Sequence, residues 1–224
     1  MKQFNEFIYT VDQDLTVLGI KMDTRMTIVR MPNNQLLLHS PVQFSEELAK
    51  KIEKLGTVAT LFAPNKMHNL YLDDWILRFP QATTYAPFMI KNSKNFVRLS
   101  RTTVGNFKST HSECLDIIFL EGVPAVKEYI LFHAQTKTLI VTDCIFNLKK
   151  SKGIVSNLML RANDALNKTG PSRLFRSAIK DKQSFSTSLH EILERDFDSI
   201  VLSHGDNIEI EGKTVFRKCF SDYL

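Results

Sequence analysis

Thr57-Val58-Ala59-Thr60-Leu61-Phe62-Ala63-Pro64-Asn65-Lys66-Met67-His68-Asn69 is the stretch on which the fold turns. Val58 to Phe62 is a continuous apolar run, the pattern of a strand buried on both faces of a parallel sheet. Ala63 to Lys66 then forms a loop at the C-terminal end of that strand. Just upstream, Ser45 can cap a helix on which Phe44, Leu48, Ile52 and Leu55 fall at helical spacing. Glu46–Lys50 and Glu47–Lys51 are i,i+4 pairs on it, and Gly56 is its stop. Downstream, Met67, Leu70, Tyr71, Trp75 and Phe79 predict a second helix closed by Pro80, and Thr83-Thr84-Tyr85 a further strand.

The flanks extend the pattern. Phe7–Val11, Leu15–Met22 and Met26–Met31 read as short strands. Pro32-Asn33-Asn34 is turn chemistry that joins 27–30 to 36–39 in a hairpin. Residues 25–86 therefore alternate strands and helices as a layered α/β protein does. Residues 90–112 are polar and basic (Lys91, Lys94, Arg98, Arg101, Lys108) and read as a solvated surface segment. Leu115–Leu120, Tyr129–His133 and Thr138–Thr142 are strands, the last two joined by a hairpin at 134–137. Residues 155–195 are helical with a break at Gly170-Pro171; Asp198–Ser203 is a final buried strand and Thr214–Phe220 a last helix. No repeat or linker interrupts the chain, and residues 1–224 read as one domain.

Composition narrows the class. At 224 residues, 43% hydrophobic and 24% charged, the chain is globular, not disordered, collagen-like or a coiled coil. Cys114, Cys144 and Cys219 are too few for a disulfide scaffold and lack CxxC spacing. The net charge of +5 permits an anionic ligand without singling out nucleic acid, which is not expected as a partner. The first residues lack a charged-then-apolar leader, and no apolar run approaches the ~18–20 residues that span a bilayer. A cytoplasmic protein with no membrane partner is expected, with a small-molecule substrate of unknown identity and an unspecified oligomeric state.

Sites in α/β sheets form just past the C-terminal ends of strands. Here those places hold the 63–69 loop with His68, then Asp143 after the 138–142 strand, then Ser203-His204-Gly205-Asp206 after the 200–202 strand. His, Asp and His at successive strand ends is the pattern of a metal site or an acid/base centre.

The order of elements resembles the metallo-β-lactamase superfamily over nearly the whole chain. Leu36-Leu37-Leu38-His39-Ser40-Pro41 occupies the place of that family's early strand and turn, and residues 57–69 that of the strand leading into its HxHxDH loop. Leu139-Ile140-Val141-Thr142-Asp143 is similar to the strand ending in the bridging aspartate, and Ile200–Gly205 to the strand ending in the last histidine. The segments RMTIVRM, LLLHSPV, FAPNKMHNLYLDDWILRFP and LIVTDCIFN more specifically resemble a bacterial offshoot of the superfamily without an assigned reaction. The resemblance implies a four-layer αββα sandwich. It also implies a departure: the HxHxDH positions hold Pro64, Lys66, His68 and Asn69, and no histidine lies in 122–128, where the family places its third. The first metal position therefore keeps only Asp143, too little for zinc, which needs about three protein donors. Lys66 brings an ammonium there, and a unit charge pair at ~4 Å and an effective dielectric of ~20 is worth ~4 kcal/mol. That cation opposes a divalent ion and favours Asp143.

The second metal position holds His68, Asn69, Asp143 and His204. The resemblance thus implies one ion (Zn, Fe or Mn) on a 2-His-1-carboxylate set. Lowering the pKa of a water molecule, that ion would serve hydrolysis of an ester, thioester, amide or phosphoester, with Asp143 and Lys66 as the catalytic pair. The alternative is a metal-free hydrogen-bonded network in a non-catalytic binding protein that keeps the fold. His39 is expected to brace the loop under the site. His111, His133 and His190 are expected at the surface, Cys144 as a buried structural thiol, and Lys149-Lys150-Ser151-Lys152 with the Arg173–Lys182 stretch as a solvated basic face.

Overall fold

The computed structural model describes every residue except 101, 102, 105, 106, 109, 110, 112 and 113. Arg101 of the expected surface segment lies outside the described residues. The chain forms two compact units, residues 1–13 with 25–114 and residues 14–24 with 115–224.

The first unit is built on a seven-stranded sheet in the order β1-β2-β3-β4-β5-β6-β7. Its strands are β1 (Lys2–Gln3), β2 (Ile8–Val17), β3 (Ile20–Arg30), β4 (Gln35–His39), β5 (Thr57–Phe62), β6 (Thr83–Ala86) and β7 (Phe96–Arg98). β3 and β4 are antiparallel, whereas β4 to β7 run parallel. Parallel strands need crossovers, and α1 (Glu46–Glu53) and α2 (Leu72–Arg78) supply them on either side of β5. Ser45 caps α1 as expected, its hydroxyl accepting from Leu48 N at 3.2 Å. Trp75 anchors α2: its indole is buried and donates to Val42 O at 2.7 Å. The core between helices and sheet is aliphatic, with Met26, Ile28, Leu36, Leu38, Ile52 and Leu61 among its buried residues.

Two local readings change. Leu15–Met22 is not one strand. The chain reverses at Leu18 and Gly19, both with positive φ (49° and 80°), which is the primed geometry a two-residue hairpin requires. The second helix starts at Leu72, not at Met67: Asn65 accepts the amides of Met67 and His68 at 2.8 and 3.0 Å and holds 65–68 as a side-chain-closed turn. Met67 and Leu70 are consequently exposed.

The second unit has a four-stranded sheet in the order β11-β10-β9-β8, from β8 (Leu115–Phe119), β9 (Tyr129–His133), β10 (Thr138–Val141) and β11 (Ser199–Leu202). β8, β9 and β10 pair antiparallel, while β10 and β11 are parallel with Val141 opposite Leu202. Four helices accompany it: α3 (Ile154–Ala162), α4 (Arg173–Ala178), α5 (Lys182–Leu193) and α6 (Gly212–Cys219). Phe175, Phe185, Phe197, Phe216 and Phe220 fill the core beside Ile130, Leu139 and Ile200. The distal part of the β2–β3 hairpin, residues 14–24, belongs to this unit. Lys21 N donates to Ser156 Oγ at 3.0 Å, Ser151 Oγ donates to Lys21 O at 2.8 Å, and Ile20 and Met22 pack on Leu160 and its neighbours. Among the described residues, no helix is long and apolar enough to cross a membrane.

Candidate functional site

In the first unit, β4 and β5 end at the same sheet edge because they are parallel neighbours, His39 opposite Phe62. Past β4 the backbone turns at Ser40, whose amide donates to Phe62 O at 2.9 Å. Ser40 Oγ lies 2.6 Å from His68 Nδ1 on the loop that follows β5. This bond holds the half-buried His68 ring through one nitrogen. Lys66 and Asn69 are exposed on the same loop, and the Asn69 amide donates to Lys66 O at 3.3 Å.

His39 does not brace this loop by hydrogen bonds. It is fully buried, stacked on Phe62 at 5.7 Å, and neither ring nitrogen has a partner among the described residues. Burial, with the nearby His68 as a second cause, pushes its pKa down to about 3, so the ring is neutral.

In the second unit, the parallel register carries forward two residues past the Val141–Leu202 pair and sets Asp143 beside His204. His204 Nε2 stands 3.5 Å from Asp143 Oδ1. The other nitrogen, Nδ1, is 2.8 Å from Asp23 O, an acceptor only, so Nδ1 carries the proton and Nε2 faces the carboxylate. Phe146 stacks on the ring at 4.9 Å and 7°. Burial disfavours the imidazolium, but the hydrogen bond and charge of Asp143, with the Asp23 carbonyl and Glu128, outweigh it and raise the His204 pKa.

Glu128 was not singled out by the sequence. It is fully buried, and its two carboxylate oxygens accept the amides of Thr142 and Asp143 at 2.7 and 3.1 Å. Burial, then the charge of Asp143, pushes its pKa up to about 7. A glutamate beginning an apolar strand, Glu128-Tyr129-Ile130-Leu131, was the available signal. Cys144 is a buried structural thiol as expected: burial and then Glu128 raise its pKa well above the ordinary value, which suppresses the nucleophilic thiolate.

The remaining histidines divide. His190 is exposed as expected. His111 and His133, expected at the surface, are buried instead. His111 Nδ1 lies 3.1 Å from Phe107 O and stacks on Phe107, while His133 Nδ1 lies 2.8 Å from Thr136 Oγ1 in its own hairpin. A hairpin-end position does not imply exposure when the next residues fold back over the ring.

The donor chemistry of the candidate residues is unequal. Pro64 has no side-chain donor and Lys66 offers an ammonium, neither of which suits a metal ion. Of the other candidates, His68 and His204 carry imidazoles and Asp143 a carboxylate, donor types that suit a divalent ion.

Comparison with known proteins bears on the fold. The family model described as "Domain of unknown function (DUF4336)" matches residues 5–183. No curated protein matches. Solved structures do match over nearly their full lengths. A metallo-β-lactamase from Pontibacter korlensis is 13% identical with a TM-score of 0.60, the match covering 98% of this chain and 96% of that one. One from Erythrobacter litoralis, with β-mercaptoethanol in its active site, is 12% identical with a TM-score of 0.64, covering 98% and 93%. The DIM-1 metallo-β-lactamase exposed to ceftazidime is 12% identical with a TM-score of 0.61, covering 100% and 96%. The fold is metallo-β-lactamase-like.

Proposed function

The chain belongs to the family of the domain of unknown function DUF4336, and from that premise we propose that it is a single-domain, mononuclear metallohydrolase-fold protein. The ligand set of this reading is His68, Asp143 and His204, with Asn69 as a further candidate. The observation that carries the reading is the His204–Asp143 pair at the ends of two parallel strands, with His204 Nδ1 tied to Asp23 O so that Nε2 is the donor. Such outer-shell bonds are how ligating imidazoles are oriented. A divalent ion held there (Zn, Fe or Mn) supplies Lewis acidity and a nucleophile at neutral pH.

The chain's own residues do the rest. Asp143 is held by the two amide bonds at Glu128, Ser40 orients His68, and Lys66 takes the electrophilic role that a second ion would otherwise fill. The substrate class is an ester, thioester, amide or phosphoester, and the setting of this reading is cytoplasmic.

A second reading has one observation in its favour. The raised His204 pKa shifts the ring toward an imidazolium beside the Asp143 carboxylate, a pair that needs no ion, as a non-catalytic binding protein would have. Metal analysis of tag-free protein separates the two. Close to one ion per chain, lost in His204→Ala and Asp143→Asn, supports the mononuclear centre. Less than ~0.2 per chain after incubation with zinc, iron and manganese rejects it.

A further inference from the structure

Charge is unevenly distributed along the chain. Residues 149–182 hold nine Lys and Arg against two Asp, a net +7 within a chain whose total is +5, so the remaining residues are net negative. α3 lies in this segment and turns apolar side chains outward. Ile154 is 88% exposed, Val155 67%, Leu158 69% and Met159 46%, whereas Ser156 and Leu160 face inward. The exposed four lie at i, i+1, i+4 and i+5, one continuous face of the helix. Leu174, at the start of α4, is 65% exposed as well, and α4 is tied to the end of α3 by Leu174 N donating to Asn163 Oδ1 at 2.8 Å. Lys149 and Lys150 precede the face and Arg161 closes it, all three exposed and without an ion-pair partner among the described residues.

We propose that this face is a docking surface for an anionic lipid bilayer, with Ile154, Val155, Leu158 and Met159 entering the headgroup boundary and Lys149, Lys150 and Arg161 meeting lipid phosphates. An apolar helical face bordered by cations is what an interfacial helix presents. A protein partner is disfavoured by size: about five side chains fall short of the roughly 20–30 residues a side of a standard interface. A second copy is disfavoured by charge, because it would bring two net +7 segments together. The surface contact departs from the expectation of no membrane partner and involves no spanning segment.

The test is co-sedimentation of the full chain with vesicles of phosphatidylcholine, alone and mixed with phosphatidylglycerol, at low and high salt. Binding to the mixed vesicles only, weakened by salt, is expected. Each lysine near the surface contributes about fivefold in partitioning, so Lys149→Gln with Lys150→Gln lowers it about 25-fold. Ile154→Ser with Leu158→Ser, at exposed positions that the core does not use, abolishes it while circular dichroism is unchanged. Absence of binding to mixed vesicles, or binding indifferent to the serine variants, overturns the proposal. So does a dimer in light scattering that Ile154→Ser/Leu158→Ser dissolves, since the second copy is then the occupant. Salt-dependent binding to a nucleic-acid duplex that survives the serine changes, with none to vesicles, gives the cations to a polyanion and overturns it as well.

Discussion

Buried titratable side chains, His39, His133 and Glu128 among them, set how the metal-free protein responds to pH. Burial holds His39 at about 3 and His133 at about 4, below the ordinary 6.5. Their folded forms are neutral while their unfolded forms protonate, so the stability they protect is complete above 6.5 and lost as pH falls through the folded values. Glu128 acts in the opposite sense. Its pKa is raised from 4.5 to about 7, so its contribution is present below 4.5 and lost as pH rises through 7. Between those values two protons of one sign oppose one of the other. His111, also lowered by burial, adds to the imidazoles, so stability should rise with pH by at least one proton's worth, roughly 1.4 kcal/mol per unit. Thermal melts from pH 4.5 to 6.5 check this: His39→Leu should flatten the slope, and Glu128→Gln should steepen it. Glu128→Gln also leaves one of two buried amides without an acceptor, so a loss of about 2 kcal/mol is expected near neutrality. By loosening Asp143 it should weaken metal binding about 10–100-fold, measured by competition with a chelator. An unchanged affinity would remove Glu128 from the support of the site.

At the scale of elements, the strand ends matter more than the strands. Gly205 follows His204 with φ at +91°, and a Cβ there would stand 2.2 Å from Asn147 O. Asn147 N in turn donates to His204 O at 3.1 Å, which ties the strand end to the next segment. Gly205→Ala should therefore cost several kcal/mol and displace His204, seen as a lower denaturation midpoint with loss of bound metal. Ser45→Ala, which removes the α1 cap and no ligand candidate, should cost about 1 kcal/mol and leave metal content unchanged. Comparing the two variants separates damage to the strand end from general loss of stability.

For the molecule as a whole, ligand binding and stability are linked. If one ion is held by the native state and not by the unfolded chain, zinc at 100 times its dissociation constant should add about 2.7 kcal/mol. For a chain of this size that is a rise of roughly 5–10 °C in Tm. His204→Ala should abolish the rise. A melting temperature indifferent to zinc, iron and manganese would favour the metal-free network.

Much of this was determined by the sequence alone. Apolar runs at 58–62, 139–141 and 200–202 and the Ser45 and Pro32-Asn33-Asn34 signals gave strands, helix starts and turns, because burial on two faces and local capping leave their mark within a few neighbouring residues. They also placed His68, Asp143 and His204 past strand ends. The tertiary structure alone decided what surrounds those residues. Glu128 lies fifteen residues from Asp143, and Asp23 lies 181 from His204. Neither separation belongs to a helical or strand period, so nothing local announces the bonds. The same reason hid the burial of His111 and His133 and, among the described residues, the unbonded ring nitrogens of His39: solvent exclusion is imposed by segments distant in the chain, and a residue's own neighbours in sequence carry no record of it.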